Sequence, residues 1–282
     1  ADFGLAGVRL IFKLEFMQYS GAYKARGAFA NLLLRKTPAV GIAAASGGNH
    51  GAAAAFAAMT LGVPATVFVP EISSPAKIAR IRNYGAKLVI TGKIYDDALT
   101  ASEAFLKDSG AMSVHAFDSI ETMLGAGTLA LELDEAAPDL DIILASVGGG
   151  GLAGGLCGWY AGENEIIGVE PERAPTLYAA LKAGRPVDVD VSGVAADSLG
   201  ASRMGASNFP VVARHVRRSV LVSDADIVAA QKALWEKLRI VAEPGAAAAL
   251  APLLTGAVKP KRGASIGVIL CGGNTKAVNF DQ

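Results

Sequence analysis

Ile142-Ile143-Leu144-Ala145-Ser146-Val147 runs straight into Gly148-Gly149-Gly150-Gly151-Leu152-Ala153-Gly154-Gly155. The first six residues show no polar alternation and read as a strand buried on both faces, the kind a parallel sheet uses. The glycines that follow form a turn rich in free backbone N–H groups at the head of a helix, a natural cradle for a phosphate. Gly149, Gly151 and Gly154 also satisfy G-x-G-x-x-G, and Glu170 closes the next apolar strand, Ile166 to Val169. Strand, glycine loop, helix, strand and acid is the pattern of a dinucleotide site, where the acid reaches a ribose hydroxyl. The residues alone say phosphate. They leave open whether it belongs to a dinucleotide or to something smaller.

Outward from this stretch, strand-like and helical runs alternate. Strands are expected at Leu10–Phe16, Gly41–Ala45, Ala65–Pro70, Lys87–Thr91, Ser219–Val222 and Ile266–Leu270. Helices are expected at Lys24–Leu34, Ala52–Leu61, Pro75–Tyr84, Tyr95–Asp108 and Asp224–Leu238, with a longer helical stretch, Leu129–Glu135, after Ile120. Such alternation implies parallel sheets covered by helices on both faces.

Composition agrees with such a fold. The 282 residues suffice for one large or two medium domains; 52% are hydrophobic and 18% charged, as suits strands buried on both faces. The 26 basic and 26 acidic residues cancel, so nothing points to nucleic acid or to an acidic membrane surface. No apolar run is long enough to span a bilayer, and no secretory leader is visible. Cys157 and Cys271 are too few for a disulfide scaffold, which favours a reducing cytoplasm. His115 and His215 stand apart from any cysteine or acidic cluster at zinc-ligand spacing.

Two further segments carry chemistry. In Ser20-Gly21-Ala22-Tyr23-Lys24-Ala25-Arg26-Gly27 a lysine is framed by small residues, so a flat ligand could approach the backbone closely. A confined lysine loses its proton more easily and can then attack a carbonyl or take a proton; the bland alternative is a solvated helix edge. Ala45-Ser46-Gly47-Gly48-Asn49-His50-Gly51 leads into an alanine helix, and its amides suit a carboxylate or phosphate. An ordinary cap by Ser46 or Asn49 is the competing reading.

Together these segments resemble the fold-type II pyridoxal-phosphate enzymes (tryptophan synthase beta-like), specifically the serine/threonine dehydratase family that also holds serine racemase. That family's lysine motif is matched from Ser20 to Gly27, its Ser-x-Gly-Asn-His loop by Ser46, Gly48, Asn49 and His50, and its tetraglycine by Gly148–Gly151 with Leu152 following. Gly168-Val169-Glu170-Pro171, Glu243-Pro244-Gly245-Ala246 and Cys271-Gly272-Gly273-Asn274 follow in the family's order, so the resemblance spans essentially the whole chain.

The resemblance implies an α/β fold of two domains, each a mostly parallel sheet flanked by helices. A large cofactor domain would comprise residues 1–39 and 126–282, and a small substrate-side domain residues 40–125. It implies pyridoxal 5'-phosphate held by Lys24 as a Schiff base, with the freed amine acting as general base at Cα. Gly148, Gly149, Gly150, Gly151 and Leu152 would hold the phosphate, which can return a proton to the departing hydroxyl. Asn49 would bond the ring hydroxyl and Cys271 would face the pyridine nitrogen, where a neutral thiol leaves the ring a weaker electron sink. The loop Ser46, Gly47, Gly48, Asn49 and His50 would take the substrate carboxylate, with His50 read as a support for the loop. Asp197 lies where some relatives bind magnesium or a monovalent cation. Glu243 would lie near the ring edge, and Lys77, Arg80 and Arg82 read as the wet face of a helix.

The activity implied is α,β-elimination from L-serine or L-threonine to a 2-oxo acid and ammonia, by a homodimer with a small hydroxyamino-acid substrate. Serine racemase and hydroxyaspartate dehydratase are alternatives on the same fold. In the racemase relatives a loop serine returns the proton on the opposite face, and Gly47 stands at that place. A nicotinamide-dependent dehydrogenase using Gly149–Gly154, or a ligand-binding relative without catalysis, are the alternatives from other classes. The chain begins almost at its first strand, whereas relatives usually carry a further N-terminal segment, and it stops soon after Asn274, so a C-terminal regulatory domain, and with it feedback by isoleucine, is not expected.

Overall fold

The computed structural model describes residues 3–71, 73, 75–93 and 95–275. Strands and helices alternate along the chain. The first half runs β1 (Arg9–Leu14), α1 (Lys24–Leu34), β2 (Ile42–Ala45), α2 (Asn49–Leu61), β3 (Ala65–Val69), α3 (Pro75–Asn83), β4 (Lys87–Ile90), α4 (Tyr95–Ser109) and β5 (Met112–Ser113). Then come α5 (Ile120–Ala136), β6 (Ile142–Ser146), α6 (Gly151–Tyr160), β7 (Glu165–Pro171), α7 (Thr176–Ala183), α8 (Phe209–His215), β8 (Val216–Val222) and α9 (Asp224–Leu238). Two short helices, α10 (Pro244–Ala247) and α11 (Ala251–Thr255), precede β9 (Ser265–Leu270).

The strands form two sheets, both parallel: five strands in the order β1-β9-β6-β7-β8, and four in the order β4-β3-β2-β5. Parallel strands need crossovers on the faces, which is why β6, β7 and β9 are buried along nearly their whole length. Among the described residues no helix is long and apolar enough to cross a membrane.

Helix α1 and the α9 helix occupy the residues their sequences predict, α9 behind a capping box between Ser223 and Asp226. Elsewhere the boundaries differ. α2 begins at Asn49 instead of Ala52, because Gly48 takes the non-helical N-cap geometry and the following Asn-His-Gly joins the helix. β1 ends at Leu14, where the chain tightens into a 3-10 turn at Glu15–Met17. The edge strand β5 has no counterpart among the expected strands. Two residues carry no periodic signal, and it is held by the Met112 and Val114 amides on the Gly41 and Ala43 carbonyls, each at 3.0 Å.

Helices α1, α5 and α6 pack closely through small residues. A Cβ on Gly155 would lie 2.6 Å from both the Ala126 Cβ and the Gly127 amide nitrogen, so Gly155 allows α6 to lie against α5. Parts of the glycine-rich run therefore serve helix packing.

Candidate active site

Four chain segments meet at the C-terminal ends of the strands, where ligands of open parallel sheets bind. The lysine turn is stitched to the end of β9: the Tyr23 amide donates to the Cys271 carbonyl (3.0 Å) and the Gly273 amide to the Gly21 carbonyl (3.0 Å). Lys24 opens α1, and its Nζ donates to the Ala116 carbonyl at 2.7 Å. Burial pushes its ammonium down to about 8, against the opposing pull of Cys271 and Glu243. The neutral amine is thus accessible near neutral pH, which a solvated helix edge would not allow.

At the head of α2 no side chain caps the helix. Ser46 Oγ accepts from the Gly48 amide at 3.2 Å, and the first amides of α2 have no acceptor among the described residues, which leaves them to an anion. His50 is buried, with Nε2 2.8 Å from the Val114 carbonyl, and burial pushes its pKa down to about 3. It stays neutral and fastens the start of the helix to the β5 edge. Asn49 donates through Nδ2 to both Glu243 oxygens (2.8 and 3.0 Å), while its Oδ1 accepts from Asn274 Nδ2 at 2.7 Å. Its amide plane is therefore locked. Burial pushes the Glu243 carboxyl up to about 7, partly offset by the Asn49 hydrogen bond.

The tetraglycine follows β6. Gly150 has φ of 93°, a left-handed conformation that favours glycine, and α6 starts at the next residue. The amides of Gly149 to Ala153 have no acceptor among the described residues. A Cβ on Gly149 would run into the Phe117 ring. Cys271 is buried at the end of β9, and burial raises its thiol above the ordinary range, keeping it protonated.

Sequence reasoning missed the segment that joins these parts, Val114 to Asp118. Its carbonyls at Val114, Ala116 and Phe117 accept from His50, Lys24 and Asn208 respectively. The His115 ring accepts the Phe117 and Asp118 amides at Nδ1 (3.3 and 2.8 Å) and so shapes the turn. The signal available was His-Ala-Phe-Asp immediately before Ser119, which caps α5 by accepting from the Thr122 amide.

Four further residues have partners that the sequence did not show: Glu170, Lys77, Arg80 and Asp197. Glu170 is fully buried, and its carboxylate accepts from the Leu177 amide (2.6 Å), the Tyr178 amide (2.8 Å) and Ser219 Oγ (2.5 Å). Bound to the head of α7, it has no oxygen to offer a ribose, and the dinucleotide pattern loses its acid. Lys77 pairs with Asp197 and Arg80 donates to Asn274 Oδ1, so these cations reach across the mouth of the site. Asp197 is accordingly an ion-pair partner, and no group of three acidic, histidine or cysteine residues among the described residues could hold a metal ion.

Ser20 Oγ, Ser146 Oγ and Asn208 Oδ1 are the buried side-chain polar atoms without a hydrogen-bond partner among the described residues. Such atoms are rare. One belongs to the lysine turn, one ends the strand before the tetraglycine, and one belongs to a side chain bonded to Gly149. Free amides, a poised lysine and unsatisfied polar atoms fit a phosphorylated aldehyde with a polar ring.

The family profile described as pyridoxal-phosphate dependent enzyme matches residues 3–272. The phenylserine dehydratase of Ralstonia pickettii is 38% identical over 281 residues, covering 97% of this chain and 85% of the relative. The crystal structure of a T.th. threonine deaminase superposes with a TM-score of 0.91 at 33% identity, covering 98% of this chain and 91% of that structure. Maize serine racemase superposes with a TM-score of 0.91 at 30% identity, covering 97% and 86%.

Proposed function

The chain belongs to the pyridoxal-phosphate dependent enzymes, and we propose that within them it is a dehydratase, an ammonia-lyase converting L-threonine or L-serine to a 2-oxo acid and ammonia. The observation that carries this reading is the Lys24 amine, brought down to about 8 and set among the open amides of α2, the tetraglycine and the end of β9. The similarity to a phenylserine dehydratase and a threonine deaminase supports a 2-amino-3-hydroxy acid as substrate.

In this reading Lys24 holds the cofactor, Gly148–Gly151 and Leu152 take its phosphate, Asn49 meets the ring hydroxyl and Cys271 the ring nitrogen. The bound cofactor supplies an electron sink for the charge left at Cα when its proton departs. The Ser46–His50 amides orient the substrate carboxylate at the head of α2. Lys24 Nζ, its proton affinity lowered to about 8 by burial so that a large share is neutral near that pH, takes the Cα proton as general base. A thiol in place of a carboxylate at Cys271 keeps the sink weak, which favours prompt loss of the β-hydroxyl.

Racemisation is the second reading, favoured by one contact. A Cβ on Gly47 would run into Ser73 Oγ, so a hydroxyl from another segment occupies the space beside this glycine. Elimination needs no such group, and it remains the first reading.

The four-stranded sheet and its helices serve as the small domain, residues 40–125, and the five-stranded sheet as the large one. We read the protein as a cytoplasmic homodimer. Its cysteines are unpaired and buried. Leu33, Leu34, Ile120 and Leu124 are exposed where the Arg35–Glu121 pair brings the end of α1 to the start of α5, an apolar face suited to a second copy.

Purified protein loaded with pyridoxal phosphate should show a visible band that borohydride removes, and should release 2-oxo acid and ammonia in equal amounts from L-threonine or L-serine. A loaded protein that releases neither would overturn the assignment.

A further inference from the structure

The peptide planes of the tetraglycine are oriented from outside. The Gly148 carbonyl accepts from Thr176 Oγ1 at 3.1 Å. The Gly149 carbonyl accepts from Asn208 Nδ2 at 2.9 Å and from the Gly205 amide at 3.0 Å. In a trans peptide the N–H of the next residue points opposite to the carbonyl. Pinning these two carbonyls therefore turns the Gly149 and Gly150 N–H groups the other way, beside the open amides that begin α6.

Asn208 does more than hold one carbonyl. It is fully buried, and the same Nδ2 donates to the Phe117 carbonyl at 2.9 Å. Phe117 follows Ala116, whose carbonyl takes Lys24 Nζ. On the far side of this turn, Asp118 accepts the Ala206 and Ser207 amides at 3.0 and 2.8 Å. The turn at residues 205–208 is thus bolted to residues 116–118, and Asn208 ties that unit to the cradle. Its amide has one workable orientation, since the reverse would aim Oδ1 at two carbonyl oxygens. Oδ1 is left without a donor among the described residues, so nothing else competes to turn the side chain.

We propose that Asn208 is a positioning residue for the phosphate end of the site: it clips the Gly149 carbonyl to the Phe117 carbonyl, aims the cradle amides, and fixes the cradle relative to Lys24. This rests on the cofactor reading above. It assigns part of the phosphate affinity to a side chain that need not touch the phosphate. Amide bonds to an ionised acceptor depend steeply on direction, so a few tens of degrees of peptide rotation weakens several at once.

The test compares pyridoxal phosphate with pyridoxal, which lacks the phosphate but keeps the aldehyde. Both are titrated into apo protein by absorbance, for the parent, Asn208→Leu and Asn208→Ser, with thermal melting as the check on folding. Leu keeps the approximate volume and removes both donors; Ser keeps one donor and adds no bulk, so it reports even where the leucine variant folds poorly. Asn208→Leu should weaken pyridoxal phosphate by about tenfold, the scale of one lost charge-assisted hydrogen bond, while changing pyridoxal by less than about twofold. Asn208→Ser should show the same selectivity with a smaller loss. Equal losses for both ligands, or no loss for either, would overturn the proposal. A parent protein that binds both ligands equally would instead overturn the cofactor reading on which it rests.

Discussion

Lys24 and Arg26 stand two residues apart on the first turn of α1, and the protein treats them in opposite ways. Lys24 has a single acceptor among the described residues, the Ala116 carbonyl, and burial brings its pKa down to about 8. Arg26 reaches the Glu15 carboxylate through two nitrogens (2.7 and 2.8 Å), the Glu132 carboxylate (2.8 and 2.6 Å) and Thr128 Oγ1 (2.9 Å). Burial pulls the guanidinium down, but the Glu15 and Glu132 hydrogen bonds outweigh it and hold its pKa above the usual value. Glu132, bonded by Arg26, is held down to about 2. A buried cation is tolerable when carboxylates from other segments meet it; deprived of them, it becomes a base. Arg26 ties α1 to the end of β1 and to α5, and that rigid seat displays Lys24 with a carbonyl acceptor but no carboxylate partner among the described residues.

The largest test of this contrast is Lys24→Ala. It should abolish covalent capture of the cofactor and lower elimination by at least about a thousandfold, because anchor and base are one group. Near-normal turnover would break the assignment. Next comes stability. Arg26→Met leaves Glu15 buried without its main partner and should destabilise the apo protein by about 3–5 kcal/mol in urea unfolding. Lys24→Met should leave the apo protein as stable as the parent or more so, since it removes a poorly paired buried cation. Equal losses in the two variants would erase the distinction.

The pH dependence is smaller and has a definite sign. Lys24 stands at about 8 in the folded apo protein and at 10.5 in the reference state. Between these values the unfolded chain holds more protons, so the lysine's contribution makes stability rise with pH across that window, and its penalty is full below about pH 8. The advantage of Lys24→Met should therefore shrink as pH rises from 8 to 10.5, and a pH-independent difference would contradict the lowered pKa. Smallest of all is the stereochemical effect. With L-serine, D-serine should form far more slowly than pyruvate, and Ser73→Ala should remove what little appears. Comparable rates in the parent would promote the racemase reading.

Much of this was legible locally. Lys24–Leu34 reads as a helix because alanine and leucine dominate it, and the tetraglycine announces a loop where amides are exposed. What was not legible depended on partners far along the chain. Glu170 looked like the acid of a dinucleotide site until α7 packed its amides on it. Lys77 and Arg80 looked like a wet helix face, yet Asp197 and Asn274 meet them from the other sheet's side. The short strand β5 has too few residues for any periodic signal.

The sequence by itself determined the alternation of strands and helices, the parallel sheets, and the three segments that carry a lysine, a loop of open amides at the head of α2 and a glycine turn at the head of α6. Those features arise from hydrophobic period, helix capping and glycine's backbone freedom, which act between near neighbours. Only the tertiary structure decided that Lys24 meets a carbonyl 92 residues away, that Glu243 holds Asn49 from 194 residues away, and that Asn208 aims the tetraglycine. The physical reason is that desolvation and hydrogen-bond direction depend on which distant atoms cover a group, and those are set when the chain closes on itself.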